Sequence, residues 1–245
     1  MLEKFQRLAP GLNAYTLAFD PALLAEIQAV FKGSLENYFN LPAQARLFKG
    51  GKLLRKTLRV DAQRWDLFSY DCDPLFWLSS HDERGFQPFQ TFFEALDLTS
   101  DLKARLEIAH RPRLYCGFWV LGNRAPAPVW HYDYHTGAQA FTLITPLFEW
   151  NSDHGHLLYE RNAEETAIFH YRLGEALVFG AGFLHSTAPY APTSQLRVLL
   201  SLTFGSDHWK AWPIVKKSVL AQSRYYHLPC GHGPGFCLCR WKDKF

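Results

Sequence analysis

The short run Trp130-His131-Tyr132-Asp133 carries two metal-ligand side chains two positions apart in a stretch of β-forming residues. Side chains of a strand alternate between faces, so on a strand His131 and Asp133 share a side and can grip one ion together. A third donor has to come from elsewhere. His185 supplies it, just past the apolar run Glu175-Ala176-Leu177-Val178-Phe179. Two imidazoles and one carboxylate leave coordination positions open, the donor set that suits reactive ferrous iron. Alone, His-x-Asp is a common tripeptide, and a lone strand histidine is usually a hydrogen-bonded core residue. Arg197 changes the weighting. It lies in the β-type run Leu196–Phe204, where a buried guanidinium needs an anionic partner. Its planar fork suits a carboxylate held by two parallel hydrogen bonds. Thr187, two positions after His185, shares that residue's face and can add a hydroxyl to the same anion. The competing explanation pairs Arg197 with one of the chain's own acids; the upstream ligands make an external carboxylate the expected partner.

In this order the landmarks resemble the 2-oxoglutarate-dependent oxygenase superfamily, and within it the phytanoyl-CoA dioxygenase-like branch. A loop with Pro126 and Pro128 precedes the His131/Asp133 motif, and Phe141-Thr142-Leu143-Ile144-Thr145-Pro146-Leu147 follows it. Gly174-Glu175-Ala176-Leu177-Val178-Phe179 then leads to His185-Ser186-Thr187, and Arg197 closes the set. The resemblance spans roughly residues 113–205. It implies a double-stranded β-helix core, a jelly roll of the cupin-like kind, with iron at its mouth on His131, Asp133 and His185. It also implies 2-oxoglutarate as co-substrate, chelating iron while its far carboxylate meets Arg197 and Thr187. Oxygen would convert it to succinate and CO2 as hydrogen is taken from a substrate. The carboxylate of Asp133 makes hydroxylation the default outcome, with desaturation or ring formation as variants. Between the ligand regions the chain departs from the family pattern: Asp153-His154-Gly155-His156-Leu157 stands where related chains carry Asn-Gly, and no Pro-Gly-Ser-His follows. An acyl-CoA substrate is therefore not carried over. The expected substrate is a small molecule, such as an amino acid or a biosynthetic intermediate. The alternatives are a protein side chain, an RNA base, or a cupin-like binding protein without turnover.

The elements that must position these residues divide the chain into three parts of one integrated domain. Residues 1–112 read as mainly helical, packing on the core. Asp20-Pro21 is an N-cap and N1 pair, apolar residues recur at helical spacing from Leu23 to Phe31, and Gly33 offers a stop. A second helical stretch covers about 88–97, and Thr99-Ser100-Asp101 caps a third that runs to about 110. From Arg113 to 205 the texture is that of short strands: Leu114–Leu121, Val129–Tyr134, Ala140–Leu147, Ala167–Tyr171, Ala176–Phe179 and Leu196–Phe204, separated by turn-prone groups such as Asn151-Ser152-Asp153. Residues 206–245 return to a helical pattern and end in a Cys-rich tail. The helical flanks are expected to cover the barrel mouth as lids.

Other residues offer chemistry that the main site leaves unused. His135, His154, His156 and His170 lie near the ligand motifs; each is weighed as an ordinary histidine first and as a pocket or supporting residue second. His135 shares the expected strand face and competes as a third ligand. Lys49, Lys52, Arg55, Lys56, Arg59 and Arg64 form a basic run, read as a solvated face with an anionic carrier protein or nucleic acid as the alternative partner. Cys230, His232, Cys237 and Cys239 offer four ligands for a structural zinc, against a flexible Gly-rich terminus with free thiols. Trp209, Trp212, Tyr225 and Tyr226 are expected to pack the final helix.

Composition narrows the function classes. A net charge of +3 from 26 basic and 23 acidic residues gives no bulk electrostatic case for nucleic acid or membrane. No run of 18 apolar residues appears, and the first residues lack the apolar stretch of a signal peptide. With five cysteines, an odd count, reduced thiols in the cytoplasm are the expectation.

Overall fold

Two strands whose residues are all buried, β6 (Arg113–Gly122) and β12 (Arg197–Gly205), lie side by side and antiparallel at the centre of the molecule. The computed structural model describes residues 4–41, 54–69, 75–149, 155–235 and 237–239; Lys49, Lys52, His154 and the Asn151-Ser152-Asp153 turn lie outside them. Around the central pair runs a nine-stranded sheet in the order β1-β2-β10-β7-β12-β6-β5-β4-β3. Its other strands are β1 (Gln6–Arg7), β2 (Ala14–Ala18), β3 (Leu54–Val60), β4 (Gln63–Ser69), β5 (Phe76–Ser80), β7 (Ala140–Pro146) and β10 (Glu175–Phe179). A second sheet, β11-β8-β9, comprises β8 (Leu157–Asn162), β9 (Glu165–Phe169) and β11 (His185–Thr187). The result is the expected fold class, a mainly β jelly-roll core with few helices.

The period-two rule sorts the central side chains into two cores. Trp119 and Leu121 of β6, with Val198, Leu200, Leu202 and Phe204 of β12, join one core with Phe31, Phe89 and Phe92. Phe118 and Val120, with Leu177 and Phe179 of β10, join the other with Tyr159, Phe183, Val215 and Val219. On that second side β12 presents Arg197, Leu199 and Ser201, three residues that line a common cavity. The helix that covers the first side, α3 (Glu83–Ala95), approaches β6 closely: a Cβ on Gly117 would lie 2.4 Å from Phe89 Cγ.

The first 112 residues depart from the mainly helical expectation, contributing five of the nine strands. The described part of the basic run is solvated as expected, but on strands and not on a helix or loop: Arg55, Lys56 and Arg59 are exposed on β3, Arg64 is exposed on β4, and the two strands form a hairpin at the sheet edge. Cations on an edge strand discourage pairing with another chain. Arg-Lys-Thr-Leu-Arg-Val has too little apolar signal in sequence to mark a strand. The helix after Asp20 begins as expected, with the Asp20 carboxylate accepting from Ala22 N–H at 2.9 Å. It does not stop at Gly33. A short 3-10 turn (Pro21–Leu24), α1 (Ala25–Val30), a wide π turn (Phe31–Leu35) and α2 (Glu36–Asn40) follow without interruption. Ile27, Phe31, Leu35 and Phe39 are all buried at four-residue spacing, which drifts around a regular helix; the π turn returns them to one side. Their burial outweighs the cost of about 1 kcal/mol for an internal glycine. α4 (Thr99–Lys103) lacks the expected cap: Leu98 holds the N-cap position with no side-chain hydrogen bond, the Asp101 carboxylate accepts from Lys4 and Phe5 N–H instead, and the helix ends well before residue 110. α5 (Trp212–Gln222) is the expected C-terminal helix.

Candidate metal centre

Val129–Tyr134 is not a strand. Only one residue of it pairs, and it pairs with another ligand: His131 N–H donates to His185 O at 3.0 Å and His185 N–H to His131 O at 3.1 Å. Ser186 Oγ accepts from Val129 N–H at 2.7 Å, fastening the same segment to β11. The two histidines therefore face one another across a bridge, with ring centroids 4.3 Å apart. Asp133 then turns inward, its Oδ1 3.7 Å from His131 Nε2 and 3.8 Å from His185 Nε2. All three ligand atoms lie within 4.8 Å of one another.

Each donor is oriented from behind. His131 Nδ1 lies 2.8 Å from Val129 O and His185 Nδ1 3.1 Å from Phe183 O. Carbonyls only accept, so Nδ1 carries the proton and both Nε2 lone pairs point to the centre. The other oxygen of Asp133, Oδ2, accepts from Thr142 Oγ1 at 2.7 Å, and Thr142 Oγ1 also meets Tyr134 OH at 2.9 Å. Burial lowers the His185 imidazole to about 4, against the opposing pull of Asp133, so this ligand is neutral and ready to bind near pH 7. These features fit a divalent cation: two neutral imidazoles, a carboxylate, and an open side toward a cavity.

That cavity, about 350 Å³, is lined by the three ligands together with Thr187 and Arg197. Arg197 is 4% exposed, and its guanidinium carbon lies 5.8 Å from the centre of the Tyr171 ring. Leu75, Trp77, Phe118, Val120 and Phe179 supply apolar wall, and α5 brings Ser218 and Gln222. The N-terminal wall is thus strand β5 and its approach; the N-terminal helices pack on the opposite core, and among the described residues the C-terminal helix alone takes the covering position expected of both flanks.

The remaining histidines separate. His135 is exposed and outside the cluster, because this segment is not a strand and bends at Asp133 and Tyr134, so two-residue alternation does not carry His135 to the same side. His156 is buried, its Nδ1 accepting from Tyr171 N–H at 3.1 Å, and exposed His170 stacks edge-on against it. His156 thus braces the residue beneath Arg197. Sequence reasoning did not single out Thr142, Tyr171, Ser218 or Gln222 as site residues. Thr142 and Tyr171 both fall in expected strands, Ala140–Leu147 and Ala167–Tyr171, which is the signal that could have marked them.

No protein-family model matches the chain, and no curated protein matches it either. Solved structures do. AviO1 from Streptomyces viridochromogenes Tue57 aligns at 12% identity and TM-score 0.50, over 79% of this chain and 90% of that one. EvdMO1 aligns at 12% identity and TM-score 0.51, over 79% of this chain and 47% of that one. The non-heme alpha ketoglutarate dependent epimerase SnoN from nogalamycin biosynthesis gives 12% identity and TM-score 0.49, over 80% and 79%. What AviO1 and EvdMO1 share with this chain is the fold. Among the described residues, no helix is long and apolar enough to cross a membrane.

Proposed function

We propose that this chain is a non-haem Fe(II), 2-oxoglutarate-dependent oxygenase that hydroxylates an unactivated C–H of a small molecule. One observation carries the reading: three converging metal donors share a cavity with a buried arginine and a threonine hydroxyl. Iron with 2-oxoglutarate and O2 would supply the oxidising power, releasing succinate and CO2. The chain's own residues do the rest. His131, Asp133 and His185 hold the ion on one side only, leaving the cavity side for the co-substrate. Arg197 and Thr187 receive the distal carboxylate; burial of Arg197 strengthens that ion pair relative to one in water. Tyr171, braced by His156, supports the guanidinium from below. Leu75, Trp77, Phe118 and Val120 exclude water and favour an apolar portion of substrate. Asp133 occupies its coordination position with a carboxylate, which supports hydroxylation as the outcome.

The test is uncoupled turnover. Protein loaded with Fe(II) under air, given 2-oxoglutarate, should release succinate, and His131→Ala should abolish it. Succinate formation equal in wild type and His131→Ala, or absent from both, would overturn the reading.

A further inference from the structure

Outside the cavity lining, the C-terminal segment after α5 gathers a second set of ligands. Cys230 Sγ lies 3.4 Å from His232 Nδ1 and 3.6 Å from Cys237 Sγ. His232 Nδ1 lies 3.2 Å from Cys237 Sγ and 3.6 Å from Cys239 Sγ. All four donor atoms fall within 4.8 Å of one another. Bonds of about 2.3 Å to sulfur and 2.1 Å to nitrogen put the corners of a tetrahedron about 3.6–3.8 Å apart. Four observed edges, 3.2 to 3.6 Å, are close to that, and the other two lie within 4.8 Å. Three sulfurs and one imidazole, with no carboxylate, favour a soft tetrahedral ion.

The surrounding chain is built to hold this shape. Gly231 takes φ +89°, and a Cβ there would lie 2.7 Å from Arg113 Nη1; a side chain would be strained and would clash. Its N–H donates to Leu228 O, and Leu228 N–H donates to His232 O, both at 2.8 Å, closing the turn that brings Cys230 beside His232. The Cys239 backbone N–H donates to Cys237 Sγ at 3.4 Å, a contact that stabilises thiolate charge. The turn is docked on the core: Arg113 Nε donates to Pro229 O at 3.1 Å, His227 N–H to Tyr115 O at 2.8 Å, and the Phe86 ring packs against His227 at 4.3 Å.

We propose that Cys230, His232, Cys237 and Cys239 bind one structural zinc ion, which fastens the C-terminal tail to the start of β6 beside α3. Binding converts three thiols to thiolates and releases their protons. Four protein ligands close the coordination sphere, so the ion does no catalysis. The site is independent of the oxygenase reading and shares no ligand with it.

Full-length protein, purified reduced and without chelator, should carry about one zinc per chain by elemental analysis. Cys237→Ser/Cys239→Ser should lose it, while His131→Ala keeps it. Replacing zinc with Co(II) in the wild type should give an intense tetrahedral spectrum with thiolate charge-transfer bands, and this needs no variant to fold. His232→Cys should retain the ion with stronger charge-transfer absorption. Three outcomes would overturn the proposal: no thiolate–cobalt bands after reduction and reloading, a Cys230–Cys237 disulfide by mass in the purified chain, or iron as the ion held by these cysteines.

Discussion

Two backbone carbonyls decide which nitrogen each imidazole offers. Val129 O and Phe183 O take the Nδ1 protons, so the Nε2 atoms are committed to the centre before any ion arrives. Thr142 does the same for Asp133 by holding Oδ2 and leaving Oδ1 inward. Removing such a support typically weakens metal binding by about 10–100-fold, and Thr142→Val should do so by Fe(II) titration with the fold intact by circular dichroism. Arg197→Ala should weaken 2-oxoglutarate by tenfold or more, from the loss of roughly 1.5–3 kcal/mol of charged hydrogen bonding, with little effect on Fe(II) itself; equal losses of both would make Arg197 structural. Burial also gives the metal-free protein a pH dependence. His185 is lowered from 6.5 to about 4 in the fold, so below pH 6.5 the unfolded chain takes up this proton first. Stability contributed at neutral pH is lost as pH falls from about 6.5 toward 4. Thermal melts of the metal-free protein should show that acid-side decline, and His185→Gln should flatten it. At this scale the converging donors were legible because few side-chain types can bind a metal ion. Thr142 and Tyr171 were not, since a hydroxyl or an aromatic ring on a strand is equally at home in any β core.

The elements were legible where burial is two-sided and obscure where pairing is non-local. β6, β7, β10 and β12 are apolar runs and emerged directly from the sequence. His131 and Asp133 were expected on a strand, yet their convergence comes from one bridge to His185 and a bend, which no local pattern encodes. β11, three residues long, and the charged β3–β4 hairpin fell below any periodicity signal. Gly33 had the form of a helix stop, but four buried apolar residues carry the helix through it. Packing between elements makes its own prediction. The contact of Gly117 with Phe89 involves the ring's fixed end, Cβ and Cγ, so Gly117→Ala must push α3 away from β6. Overpacking of this kind typically costs about 1–3 kcal/mol, and urea denaturation should show a lower midpoint with an unchanged slope.

Across the whole molecule, the two proposed ion sites would serve different ends. His131, Asp133 and His185 gather residues from a bend and a short strand and stay open to a cavity. Cys230, His232, Cys237 and Cys239 come from one tail and close on themselves. α5 links the two regions along the chain: Ser218 Oγ donates to Asp133 O at 2.5 Å, and the segment after Gln222 leads to the cysteine turn. The central claim concerns the open site. The most direct measurement is an anaerobic titration of Fe(II)-loaded protein with 2-oxoglutarate, followed by visible absorption. A weak charge-transfer band should appear and saturate in wild type, shift to much higher 2-oxoglutarate in Arg197→Ala, and be absent from His185→Ala. Absence of the band in wild type, or an unchanged band in His185→Ala, would contradict the account.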